Sequence, residues 1–114
     1  IGPAQTIGAA PEDPALAPVP AIKDVLSKHG KTIDRVEMME AYAVQSMACI
    51  DVAGLDVHTV NRCGGALARG HPIGASGAIL AVRLFQDLQT AQSGLAAIAA
   101  VGGLGSAVIF ERQV

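Results

Sequence analysis

From Ser93 to Phe110 the chain carries no charged residue, and Gly102, Gly103 and Gly105 cluster inside that run. An uncharged stretch of this length, close to the roughly 20 residues of a bilayer span, has to be either lipid-embedded or buried in protein. Three glycines in four positions weaken a continuous helix. Two short buried strands, at about 95–100 and 106–111, joined by a glycine turn, account for the pattern better. The closing pair is therefore expected to be antiparallel, with no membrane span.

The preceding residues alternate strand-like and helix-like segments. Residues 1–7 read as a short strand, followed by an irregular Pro-rich connection. Pro20 suits the first turn of a helix, where a missing N–H costs no bond. Ile22, Val25 and Leu26 then form an apolar stripe opposite Lys23, Asp24, Ser27 and Lys28, and Gly30 is a plausible stop. A short strand is expected at 35–39, an Ala-rich helix at 40–49 and a weaker strand at 57–61. A glycine-rich loop spans 64–77. A helix at about 76–89 sets Ala78, Ala81, Val82, Phe85 and Leu88 on one side and Arg83, Gln86 and Asp87 on the other. This alternation predicts the α/β class, one domain over residues 1–114, with a mixed sheet layered between helices.

Composition says what such a domain touches. Hydrophobic residues make up 51% of the 114, aromatic residues 3% and charged residues only 16%, against roughly 25% charged in typical soluble domains. Too little polar surface is available to coat a free monomer, so faces buried against a missing half or a second subunit are expected. The net charge of −2, without a basic patch or aromatic platforms, excludes a nucleic-acid partner. Cys49 and Cys63, with no secretory signal, read as free thiols in a reducing, cytoplasmic setting.

His71 is the residue with most chemical content. Pro72 disfavours the α region at His71 and holds it extended. The flanking glycines, Gly70 among them, let backbone approach a ligand closely. The helix that follows turns its N–H groups and positive dipole end toward the loop. A histidine held there can take a proton from a thiol or donate to a developing oxyanion. His29 and His58 read as ordinary surface residues. The three histidines share no metal-ligand spacing with each other or with the cysteines, so no metal is expected. The glycine run matches neither a phosphate-binding loop nor a dinucleotide fingerprint.

The stretch from Asn61 to Ala78, NRCGGALARGHPIGASGA, resembles the thiolase family, whose C-terminal half carries N-x-N-G-G-A-x-A-x-G-H-P-x-G-A-S-G. Pro18–Ala21 resembles that family's G-P-V-P-A helix start. Residues 36–43 resemble its N-E-A-F-A stretch, and residues 94–112 its last strand pair. The resemblance implies the C-terminal half of a two-half protein, with a mixed five-stranded sheet covered by helices in an α/β/α arrangement. It implies acyl transfer from a coenzyme A thioester, with no cofactor beyond that substrate. A cysteine of the N-terminal half would be acylated and His71 would activate it. Tyr42, Gly70 and Gly102 would contact substrate. Partners would be that N-terminal half or subunit and acyl-CoA, within a homo- or hetero-oligomer.

Three departures qualify the resemblance. The acylated cysteine belongs to the other half, and neither Cys49 nor Cys63 stands in a matching motif; both are expected to be small buried apolar residues. The family's acid/base cysteine aligns with Ala99, and the glycine two positions on with Val101. The asparagine of N-E-A-F aligns with Met39, which cannot replace an amide's hydrogen bonds. The alternative to an enzyme is thus a non-catalytic thiolase-like subunit or acyl-CoA-binding scaffold. On either reading this chain alone is expected to be inactive.

Overall fold

The computed structural model describes residues 1–113. In chain order it contains β1 (Ala4–Gly8), a 3₁₀ turn (Pro14–Leu16), α1 (Pro18–His29), β2 (Arg35–Met38) and α2 (Ala43–Ala53). A second 3₁₀ turn (Val57–Thr59), α3 (Ala66–Arg69), α4 (Ser76–Asp87), β3 (Ser93–Ala100) and β4 (Leu104–Glu111) follow. The sheet order is β1-β4-β3-β2. β4 runs antiparallel to β1 and β3, whereas β2 and β3 are parallel. The sheet is mixed, as the alternating pattern predicts, and the uncharged run forms its two central strands.

β3 is buried without a break from Ser93 to Ala97, the pattern of a strand covered on both faces. On one face lies α1. Pro18 opens that helix and Pro20 falls in its first turn. Gly30 closes it in the left-handed conformation (φ 68°), which glycine adopts without a Cβ clash. Ile22 and Val25, both fully buried, meet Leu95 and Ile109 there. The approach is close enough to dictate a residue: a Cβ on Gly105 would collide with the backbone carbonyl of Ala17. On the other face α4 sets Leu80 and Leu84 against Met39 and Ala96. The layers are thus helix, sheet, helix.

Among the described residues the sheet has four strands, not five. Residues 57–61, read as a weaker strand, instead carry a 3₁₀ turn at Val57–Thr59. The Asp56 carboxylate accepts the N–H of His58 at 2.9 Å and so offers the backbone a local alternative to a ladder. Val60 makes one isolated parallel bridge to Val36. Asn61 then turns to φ 45°, and its side chain takes over the pairing. Its Oδ1 accepts from the Met38 N–H at 2.9 Å and its Nδ2 donates to the Met38 carbonyl at 3.0 Å. An amide side chain completes the edge of β2 where a fifth strand was expected.

Other expectations are corrected by packing. The buried side of α4 is Ser76, Leu80, Leu84 and Leu88, while Ala78, Val82 and Phe85 stand outward. This helix has two apolar sides, and periodicity cannot say which one its own sheet covers. The Ala-rich helix starts at Ala43, later than Glu40, because Glu40 is engaged elsewhere, as described below. His29 is no surface residue: its side chain is 3% exposed, with Nδ1 3.4 Å from the Glu111 carboxylate, since the last turn of α1 packs beside the end of β4. Cys49 is buried as expected, but Cys63 is exposed. Among the described residues no helix is long and apolar enough to cross a membrane.

Candidate active site

The glycine-rich loop is pinned from beneath by two carboxylates. Glu40, just past β2, accepts from Asn61 Nδ2 at 2.8 Å and from the Leu67 N–H at 2.9 Å. The second bond satisfies one of the open N–H groups at the start of α3. Glu40 lies so close that a Cβ on Gly65 would overlap its carboxylate. Glu37, fully buried in β2, receives Arg83 Nε from α4 at 2.8 Å, while Arg83 Nη2 donates to the Gly64 carbonyl at 3.0 Å. The Glu37 contact holds the guanidinium pKa above its ordinary range, against a smaller opposing effect of burial. Sheet, loop and helix are tied by one charged junction.

His71 follows α3 and precedes α4. Gly70 takes φ 94°, a turn that an L side chain rarely adopts, and it swings the chain so that His71 faces away from the core. His71 Nδ1 lies 2.7 Å from Ser76 Oγ, and Ser76 Oγ donates to the Pro72 carbonyl at 3.0 Å. The ring lines an open cavity of about 390 Å³ together with Tyr42, Gln45, Ile73, Ala99 and Val101. Loop, α2 and the end of β3 converge there. Tyr42 sits just before α2, and buried Gln45 reaches back so that its Oε1 accepts from the Ala41 N–H at 3.2 Å, an arrangement akin to a capping box.

The structure therefore brings Tyr42 and His71 together. Gly70 lines the adjacent hollow with Met39, Pro72 and Ser76. Gly102, in the β3–β4 turn, does not line the His71 cavity. Ala99 presents only a methyl group beside the histidine. Met39 is buried in the hydrocarbon cluster under α4, so position 39 offers no polar atom to the cavity. Sequence reading missed Ser76, Glu40, Asn61 and the Glu37–Arg83 pair. A serine opening the helix five residues after the histidine was the available signal for Ser76. The others depend on contacts across 21 to 46 positions. Among the described residues no group of three or more His, Cys, Asp or Glu is placed to hold a metal.

An exposed histidine at a helix mouth, backed by a serine and facing an apolar-walled cavity, suits proton exchange with a group brought from outside the domain. Residues 1–112 match the thiolase C-terminal domain family. The chain belongs to the thiolase family. The peroxisomal 3-ketoacyl-CoA thiolase of Saccharomyces cerevisiae is 38% identical over 112 residues, covering 96% of this chain and 27% of that protein. Its solved structure superposes with a TM-score of 0.90 at 37% identity, over 97% of this chain and 33% of that one. That thiolase is described as five layers, α-β-α-β-α, built from two core domains of identical topology. Human mitochondrial 3-ketoacyl-CoA thiolase, solved in complex with CoA, gives a TM-score of 0.91 at 34% identity, covering 97% of this chain and 29% of that one. The chain thus spans about a third or less of the length of these thiolases, and is homologous to their C-terminal domain.

Proposed function

We propose that this thiolase domain contributes His71 as the base that activates a cysteine supplied by an N-terminal half or subunit, for acyl transfer from a coenzyme A thioester. The observation that carries the reading is the His71 cavity. Its ring nitrogen Nε2 is free of the Ser76 contact, and its walls, Tyr42, Ile73 and Ala99, are apolar enough to receive an acyl or pantetheine chain. In the step, the cysteine S–H proton passes to His71 Nε2. The thiolate then attacks the thioester carbonyl, and coenzyme A leaves with a proton. The reaction uses no cofactor beyond the thioester substrate. The two free thiols support a reducing, cytoplasmic setting.

Ala99 shapes the second half of the reaction. Carbanion formation on an acceptor needs a base, whose typical contribution is 10²–10⁴-fold, and a methyl group cannot supply one. Transfer of the acyl group to water or to a different acceptor therefore fits this domain better than condensation. The test is intact-mass spectrometry of the domain combined with a cysteine-bearing thiolase half and acetyl-CoA. A gain of one acetyl group on that half's cysteine, lost with His71→Ala, is expected; absence of any acylated cysteine overturns the reading. A second reading, a non-catalytic acyl-CoA-binding subunit, is favoured by Ala99 and Met39 together. It predicts coenzyme A binding that survives His71→Ala, with no covalent product in either protein.

A further inference from the structure

The geometry points to Ser76 as a positioning residue that locks neutral His71 in the Nδ1–H tautomer, leaving the Nε2 lone pair as the base that faces the cavity. A serine hydroxyl has one proton to donate and lone pairs to accept with. Ser76 Oγ lies 3.0 Å from the Pro72 carbonyl and 2.7 Å from His71 Nδ1. The Pro72 carbonyl can only accept, and its two lone pairs take the Ala75 N–H at 2.8 Å and the Ser76 hydroxyl at 3.0 Å. With its proton on Pro72, the same oxygen has only lone pairs for the imidazole, so Nδ1 carries the hydrogen. Each ring nitrogen's state is set by the partner of the other. Nε2 is left bare.

The arrangement is local and rigid. His71, Pro72 and Ser76 lie within six consecutive positions, and Ser76, 3% exposed, is the first residue of α4. Two turns further along that helix Arg83 is held by buried Glu37, so the serine oxygen is fixed relative to the sheet. When a thiol proton arrives at Nε2, the imidazolium keeps its Nδ1–H bond to Ser76 and nothing has to reorganise. The opposite tautomer would place a lone pair against Ser76 Oγ while the hydroxyl is already committed to Pro72. It would also turn an N–H toward the thiol, where no proton could be taken.

The role as base rests on the function proposed above, but the tautomer does not, and the two fail separately. The chain, labelled with ¹⁵N-histidine, is measured by two-bond ¹H–¹⁵N NMR at about pH 8, where an ordinary imidazole is neutral. His71 is assigned by the signals lost in His71→Asn. A protonated Nδ1 and an unprotonated Nε2 are expected in the unsubstituted protein. An Nε2–H tautomer in the unsubstituted protein overturns the proposal. Ser76→Ala is expected to shift His71 toward the Nε2–H form, and Ser76→Thr to restore the Nδ1–H form. An unchanged tautomer in a Ser76→Ala protein with native circular dichroism also overturns it. In the reconstituted acylation assay, Ser76→Ala is expected to lose at least about tenfold in rate, part of what a general base supplies, with rescue by Ser76→Thr. Loss without rescue assigns the serine to stability and overturns the positioning role.

Discussion

Asn61 holds a left-handed backbone, φ 45°, that few non-glycine residues adopt. It is retained because the side chain makes three bonds from that position, two to Met38 and one to Glu40. Asn61→Ala removes all three and keeps the backbone strain, so a loss of about 2–4 kcal/mol is expected by urea denaturation. Asn61→Gly relieves the strain and is expected to lose less. The two cysteines differ as sharply. Burial pushes the Cys49 thiol up in pKa, partly offset by the hydrogen bond from Gln45. In native protein at about pH 8, iodoacetamide is therefore expected to modify exposed Cys63 and spare Cys49, read by peptide mass spectrometry. The sign of the pH dependence follows. The unfolded thiol ionises near its ordinary pKa, roughly 8.5, while the folded one still keeps its proton. The stability contributed by Cys49 is complete below that range and falls as pH rises through it. A Tm decline above about pH 8.5 that is reduced in Cys49→Ala is the expected result.

At the level of elements, α4 makes two opposite demands on neighbouring positions. Leu84 is fully buried against β3 and Phe85 is 57% exposed. Leu84→Ala is expected to cost about 2–5 kcal/mol, whereas Phe85→Ala should change stability little, both measured by denaturant titration. The Glu37–Arg83 pair joins α4 to β2 and is less a source of stability than a constraint on register. Arg83→Ala leaves a carboxylate buried without its counter-charge, and a loss of about 3–5 kcal/mol is expected. Replacing both partners by methionine should recover most of it, because the desolvation cost disappears with the charges. A double variant as unstable as Arg83→Ala would show that the Gly64 carbonyl bond, not the buried charge, sets the cost.

The whole molecule shows one sheet covered by α1, with α2 packed beside it, on one side and only partly by α4 on the other. A shallow groove lined by Thr6, Leu80, Ala81, Ile98, Ser106 and Val108 lies open beside α4. Outward from it stand Val82 and Phe85, and near the His71 cavity Val44, Leu67 and Ile73 are exposed. Scattered exposed apolar residues are ordinary, but a continuous apolar helix side next to an open sheet face is where the proposed cysteine-bearing half would pack. With Val82→Glu and Phe85→Glu, association with a cysteine-bearing thiolase half is expected to be lost in light-scattering chromatography. The circular dichroism of this domain should be unchanged, because both positions face away from its own core.

Much of this was legible in the chain. The charge-free run with its glycines dictated a buried antiparallel hairpin, Gly30 the end of α1, and the glycine–histidine–proline loop the place of His71, because each follows from backbone chemistry confined to a few residues. The replacement of a strand at 57–61 by a 3₁₀ turn, the buried side of α4 and the burial of His29 were decided only by tertiary structure. There, an Asp56 carboxylate competes with a ladder, a sheet selects one of two apolar helix sides, and the end of β4 covers an imidazole. The same holds for Ser76's partner and for both carboxylates under the loop. Short-range conformations follow from local backbone chemistry, while long-range contacts chose which polar group meets which, since that choice depends on positions up to 46 residues apart brought within a hydrogen bond by the sheet.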